Sequence, residues 1–304
     1  MEKIKLGVVV VYLVKEDNER LLDLHLGQIG KCTRVPYTIY GSANRLLPKF
    51  RKKLEQNPRV KICECRHTYL TGIKEHSFYL DQLVNYAIED GSSHVAVFHV
   101  DSFPIRSDWF EEVCARLSES CVLVAIMNGE FFDEKPHSSF MFFHRDFYLK
   151  YKPTFLLSEE EFSSRKYEEY CRNFKHILEG GVGYGFKIYS EGLKWYPLRR
   201  SNQGEDHSLI GSIYDDIIFH LGAAQRNTKH FNKAVLEFDR HIKRHLSALL
   251  PESIISVLKW GLLKPKMILY SHIFSKNHKA FNFVRTQLLE DPESYINFLR
   301  TGKR

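Results

Sequence analysis

The stretch His94-Val-Ala-Val-Phe-His-Val-Asp101, closing on Ser102-Phe103-Pro104 and followed by Trp109, decides how the chain is read. Val95 to Val100 are apolar apart from His99, which is the signature of a buried strand bounded by turn residues. Such a strand carries the carboxylate of Asp101 to its own carboxyl end, where open α/β sheets bind their ligands. Upstream, Leu80, Leu83, Val84, Ala87 and Ile88 recur with helical period and stop at Gly91. Helix, glycine, strand, acid is the layout of half a nucleotide-binding domain. Asp-Ser before Pro also favours a turn, so Asp101 on its own reads equally as a turn former.

The same alternation extends in both directions. Ile4 to Tyr12 reads as a buried strand, Glu19 to Ile29 as a helix, and Tyr37 to Tyr40 as a second strand stopped by Gly41-Ser42. A basic helix over Lys49 to Gln56 and a strand over Val60 to Cys63 precede the helix near His76 to Glu89. Asp108 with Glu111 spells a capping box for a helix built on Phe110, Val113, Cys114 and Leu117, leading to a strand over Cys121 to Met127. A helix opened by Ser158 with Glu161 is expected to reach Leu178. Repeated βα units of this spacing predict a mainly parallel sheet with helices on both faces.

Composition bounds the class. A chain of 304 residues, 43% hydrophobic and 27% charged, can build one large or two ordinary domains with a real core. No run reaches the roughly 18 apolar residues that span a bilayer. Met-Glu-Lys-Ile-Lys leads straight into Leu6 with no signal-peptide pattern, so a cytoplasmic location is expected. The six cysteines include no CxxC pair and read as reduced, structural thiols. Cys63-x-Cys65-x-His67 is too tightly spaced for a structural zinc finger. The first strand is followed by Leu13-Val-Lys-Glu-Asp17 with no glycine-rich turn, which argues against a dinucleotide fold. Gly180-Gly181-Val-Gly183-Tyr-Gly185 follows a helical stretch and not a strand, so it fails the same test.

The net charge of +7 is unevenly placed. Residues 228–304 hold 14 Lys and Arg against 6 Asp and Glu, a net +8, which leaves residues 1–227 at −1. Such asymmetry points to an anionic partner, nucleic acid or a membrane surface. The tail also sets Ile254, Ile255, Val257, Leu258, Trp260, Leu262 and Leu263 beside Lys264 and Lys266. That pattern suits an interfacial helix at the inner face of a membrane, and equally a helical cap with a solvated basic face. The expected division is therefore a domain over 1–227 and a basic helical extension over 228–304.

The residues from Glu75 to Phe110, with those from Leu193 to Arg226, resemble a nucleotide-sugar-dependent glycosyltransferase of the GT-A fold, similar to family 2 enzymes. The resemblance covers residues 4–226 and not the tail. It implies a Rossmann-like, mainly parallel sheet with helices on both faces. The family's acidic DxD motif, followed by a Trp-Leu pair, is matched by His99-Val-Asp101 with Trp109-Phe110. His99 thus replaces the first acid at the donor site. One carboxylate can suffice, because Mg²⁺ or Mn²⁺ in such sites is held by one or two carboxylates plus diphosphate oxygens.

The resemblance also implies roles for individual residues. His220, in Ile-Ile-Phe-His-Leu-Gly, stands where such enzymes bring a histidine to the metal held by Asp101, and Mn²⁺ accepts imidazole. Arg226, with Arg199 and Arg200, is placed to grip the donor diphosphate. Glu179 matches the base that takes the acceptor's proton in an inverting transfer, with Asp206 beside Glu205 as the rival and Asp216 a third choice. Tyr12 and Ser42, after Gly41, fall where base and ribose are held. Pro136 to His144 matches a strand between the donor and acceptor sites, and His137 could touch acceptor. The implied partners are a nucleotide-sugar donor and a glycan or lipid-linked acceptor.

Two other classes share parts of this pattern. A non-catalytic nucleic-acid-binding protein would also be basic, but would interleave its Lys and Arg with exposed aromatics in one domain; here residues 1–227 are near neutral. A nucleotidyltransferase would carry a glycine-rich basic loop after the first strand, which this chain lacks.

Overall fold

A computed structural model describes residues 4–14, 18–128, 135–172, 180–202, 211–221 and 285–301, with 250–251, 253–255, 257–258 and 261. The chain divides into two compact units, Met1–Asn202 with Ser212–His220, and Gln203–Gly211 with Leu221–Arg304.

In the first unit, the unbroken apolar run Leu6–Val11 forms β1, buried at every residue. A strand buried on both faces belongs at the centre of a covered sheet. There it pairs in parallel with β2 (Tyr37–Ser42) on one side and β4 (His94–Phe98) on the other. With β3 (Val60–Cys63), β6 (Cys121–Asn128), β7 (Lys135–His144) and β8 (Lys194–Leu198), the sheet has the order β3-β2-β1-β4-β7-β6-β8. Only β7 runs antiparallel, against both β4 and β6.

The period-2 alternation of β1 sends its side chains into two cores. Leu6, Val8 and Val10 meet α1 (Glu19–Cys32), α2 (Pro48–Glu55) and α4 (Trp109–Cys114) through Leu22, Ile29, Phe50, Leu54, Trp109 and Val113. Val9 and Val11 face α3 (Ile73–Glu89) and α8 (Val182–Ser190) through Leu80, Leu83, Val84, Tyr184 and Ile188. Gly7 lets α3 lie close: a Cβ there would stand 2.9 Å from that of Ala87. The mainly parallel sheet with helices on both faces, implied by the resemblance, is present.

Local detail departs from expectation in four places. β4 ends at Phe98, because the Ser102 amide bonds the His99 carbonyl at 3.0 Å and closes a turn over residues 99–102. Asp101 therefore sits in that turn. The expected capping box at Asp108 does not form; Asp108 has no side-chain cap bond and pairs instead with Arg106 at 2.6 Å. The box at Ser158 and Glu161 does form, but its helix α6 (Glu159–Phe162) is short. Ser164 then caps a new helix, α7 (Arg165–Cys171), so no single helix runs from Ser158 onward, and residues 173–179 lie outside the described part. Finally, β2 continues through Gly41 and Ser42, which the sequence reads as a stop.

The glycines at 180–185 are packing residues. Gly181, at φ +112°, opens α8, and a Cβ there would stand 2.4 Å from the Pro136 carbonyl oxygen. A Cβ at Gly183 would stand 2.0 Å from the Thr154 carbonyl oxygen. α8 thus lies against the start of β7 at Gly181 and against the Thr154–Phe155 backbone at Gly183, with no room for side chains at these positions. The helix α5 (Arg145–Tyr151) follows β7 directly.

A second sheet, β5-β10-β9, is small and antiparallel, from β5 (Ser102–Pro104), β9 (Ser212–Tyr214) and β10 (Ile218–His220). Asp215 and Asp216 turn between β9 and β10 at φ +47° and +55°, a conformation Asp tolerates better than most residues.

Of the second unit, the described part includes one amphipathic helix, Pro292–Thr301, burying Tyr295, Ile296 and Leu299. Trp260 lies outside the described residues, while Ile254, Val257 and Leu258 are exposed. No helix among the described residues is long and apolar enough to cross a membrane.

Candidate metal and donor site

The sheet order places a crevice before any side chain is considered. From β1 the chain runs outward through β2 and β3 on one side and resumes at β4 on the other, so the strand order reverses between β1 and β4. Ligands of open α/β sheets bind outside the carboxyl ends of the strands at such a point. Tyr12, Ser42 and the 99–102 turn all stand at those ends.

Asp101 owes its position to Ser102. The Ser102 hydroxyl accepts from the His99 amide at 2.9 Å and donates to the Ser139 carbonyl, tying the turn to β7. The Ser102 carbonyl accepts a bond from His25 Nδ1 on α1 at 3.0 Å, and burial holds that imidazole down at about 4, so it is neutral. From this braced turn β5 departs and pairs with β10, with His220 opposite Ser102. Residues far apart in sequence thereby meet: His220 Nε2 lies 3.6 Å from Asp101 Oδ1, with the Asp101 side chain 10% exposed.

His99 completes the group. Its Nδ1 is 4.0 Å from Asp101 Oδ1 while its Nε2 meets the Ser138 hydroxyl at 3.1 Å. His99, Asp101 and His220 each offer one ligand atom within 4.8 Å of the others. Donors sharing one first-row ion at about 2.1 Å each stand roughly 3 to 4 Å apart, so small side-chain rotations close the set. Two imidazole nitrogens and a carboxylate oxygen are a donor set that fits a divalent transition ion.

Two further histidines, neither marked by the sequence as a metal-site residue, wall the group. The His76 ring stands edge-on to His99 at 4.9 Å between centroids, and His137 lies 5.6 Å from His99 and 5.9 Å from His220. Burial pulls the His76 imidazole down to about 4, against an upward pull from Asp101. The Ser139 amide donates to His137 Nδ1 at 3.2 Å, which turns that nitrogen away from a ligating role. No spacing signal links these residues; α3 and β7 bring them together.

Ser42 is buried, its carbonyl accepting from the Tyr12 amide and its hydroxyl donating to Asn44 Oδ1 at 2.9 Å. Tyr12 is 1% exposed, and its ring fills the space a side chain at Gly41 would need, 2.8 Å from a Cβ there. The ring is thus enclosed by its neighbours at the end of β1. Asp216 sits in the β9–β10 turn, bonded to the Ser201 hydroxyl at 3.1 Å, at the end of β10 remote from His220. Arg200 binds Asn202 at 3.2 Å, and the Arg199 amide binds Asp215. Glu179, Glu205, Asp206 and Arg226 lie outside the described residues. The Cys63 thiol is buried and pushed up to about 12, as suits a structural residue.

No family model and no curated protein matches the chain. Solved structures do. A mannosyltransferase from Pyrobaculum calidifontis, in complex with GDP-Man and Mn²⁺, is 11% identical over 94% of this chain and 87% of its own, with a TM-score of 0.46. S. aureus TarS is 10% identical over 99% and 92%, with a TM-score of 0.44. Mouse xyloside xylosyltransferase 1 is 9% identical over 64% and 85%, with a TM-score of 0.42.

Proposed function

We propose that this protein is a glycosyltransferase of hexosyltransferase type that moves a sugar from a nucleotide-diphosphate donor to a glycan or lipid-linked acceptor, with inversion and with a divalent ion, Mn²⁺ or Mg²⁺. The observation that carries this reading is the meeting of Asp101 and His220 at the switch point of the sheet, 3.6 Å apart. Residues 1–227 act as the catalytic domain and 228–304 as a basic extension.

Asp101, His220 and His99 would hold the ion, which when bound neutralises the donor's diphosphate as it leaves. Arg226 adds positive charge to the same phosphates. Ser42 and Tyr12, at the carboxyl ends of β2 and β1, mark the nucleotide end of the crevice. Glu179 accepts the proton of the acceptor hydroxyl as its oxygen attacks the anomeric carbon and the bond from that carbon to the diphosphate breaks. Its described neighbour Gly180 accepts the Ser138 amide at 2.8 Å, and Ser138 in turn holds His99. Asp206 is the alternative base. Release of nucleoside diphosphate from a panel of nucleotide sugars tests the reading: one donor class is hydrolysed, and silence of the whole panel with Mn²⁺ present would sink it.

The tail's charge supports an acceptor presented at an anionic membrane surface, since each basic residue there contributes about 1 kcal/mol. The protein should sediment with anionic vesicles at low salt and leave them at high salt, where the Debye length shortens. No sedimentation with anionic vesicles at low salt would remove the membrane from this proposal, and equal sedimentation with neutral vesicles would remove the role of the tail's charge.

A further inference from the structure

We propose that the donor chemistry of the site narrows the choice between Mn²⁺ and Mg²⁺ left open above, favouring a nitrogen-accepting first-row cation such as Mn²⁺, Co²⁺ or Zn²⁺ over Mg²⁺. This rests on the reading above for the place of the site alone; it needs no nucleotide. Mg²⁺ is a hard ion that keeps its waters and binds through carboxylate and phosphate oxygens in near-ideal octahedra. Among the described residues the group offers it one carboxylate, Asp101, and two imidazoles, His99 and His220. Borderline ions accept imidazole readily. Replacing an acid by His99 therefore does more than lower the site's negative charge: it exchanges an oxygen donor for a nitrogen.

The second shell supports His99 as a ligand through Nδ1. A neutral imidazole that ligates through Nδ1 carries its proton on Nε2, and that atom meets the Ser138 hydroxyl at 3.1 Å. Ser138 is itself buried and fixed, with its amide bonded to the Gly180 carbonyl at 2.8 Å. A Cβ at Gly180 would stand 2.3 Å from the Ser138 hydroxyl, so the glycine keeps that oxygen in place. Partners of this kind set the tautomer and orientation of metal-ligating histidines and change affinity by about 10- to 100-fold when removed.

Calorimetric titration of the metal-free full chain with Co²⁺, Zn²⁺, Mn²⁺ and Mg²⁺, each alone, tests this. One equivalent of Co²⁺ should bind at least about 100-fold more tightly than Mg²⁺, with a visible d–d band reporting nitrogen donors. Asp101→Asn should abolish that band, and His99→Ala should shift it and weaken Co²⁺ by about 10-fold or more. Ser138→Ala should weaken Co²⁺ by about 10- to 100-fold. His99→Asp, which restores an oxygen donor, should narrow the gap between Co²⁺ and Mg²⁺ by at least about 10-fold. Mg²⁺ binding within about 3-fold of Co²⁺ in the wild type, or a Co²⁺ band unmoved by His99→Ala in a chain that melts normally, overturns the proposal. A selective metal site in a protein that hydrolyses no nucleotide sugar would instead defeat the glycosyltransferase reading and leave this one standing.

Discussion

Asp101→Asn is expected to cut sugar transfer by about 10²- to 10³-fold or more at saturating donor and Mn²⁺, the loss that follows removal of a preorganised group facing developing charge. Asp101 is the single carboxylate in the His99–Asp101–His220 group. Asn keeps the size and one oxygen but removes the charge that draws the ion and, through it, the diphosphate. The substitution should spare the fold, because the 99–102 turn is closed by Ser102 and not by the Asp101 carboxylate. Melting temperature within a few degrees of wild type, together with the loss of turnover, is the expected pair of results. Turnover within about 3-fold of wild type would move the metal, or the whole reaction, elsewhere.

Glu179→Gln is expected to lower turnover by about 10²- to 10⁴-fold while leaving donor affinity nearly unchanged, since a general base acts on the acceptor's proton and not on the donor. Gln cannot take a proton from the acceptor hydroxyl, yet it fills the same volume. The paired variant Asp206→Asn should stay within about 10-fold of wild type. Steady-state kinetics on both, with donor affinity measured by titration of the nucleoside diphosphate, separates the two carboxylates. A large loss in Asp206→Asn with Glu179→Gln active would transfer the role to Asp206.

The central sheet was legible because its strands are strongly apolar and its helices strongly periodic. β1 and β3 stand nearly where composition puts them, since Leu6–Val11 has no alternative to burial. The boundaries that failed are those set by local hydrogen bonding. Asp108 has the right spacing to cap a helix, but Arg106 competes for its carboxylate at 2.6 Å. Ser164 restarts a helix that a continuous pattern hides, because a cap and a helical serine look alike in sequence. At the site, Asp101 is visible as the acid at the end of a buried strand, while His220 is found through the family resemblance. His25, His76 and His137 carry no periodic signal of their own. They reach the site through a helix contact, an edge-on ring packing and the antiparallel pairing of β7 with β4. The enclosure of the Tyr12 ring is likewise invisible in sequence, since it depends on the closeness of Gly41 on the neighbouring strand.

One measurement tests the donor and the metal together: nucleoside diphosphate released by the wild-type full chain from UDP-, GDP-, ADP- and dTDP-linked sugars, each with Mn²⁺ and then with chelator. The expected result is steady release from one donor class that stops with chelator and resumes when Mn²⁺ is restored. Release indifferent to chelator would contradict the role of Asp101 and His220, and no release from any donor would contradict the glycosyltransferase itself.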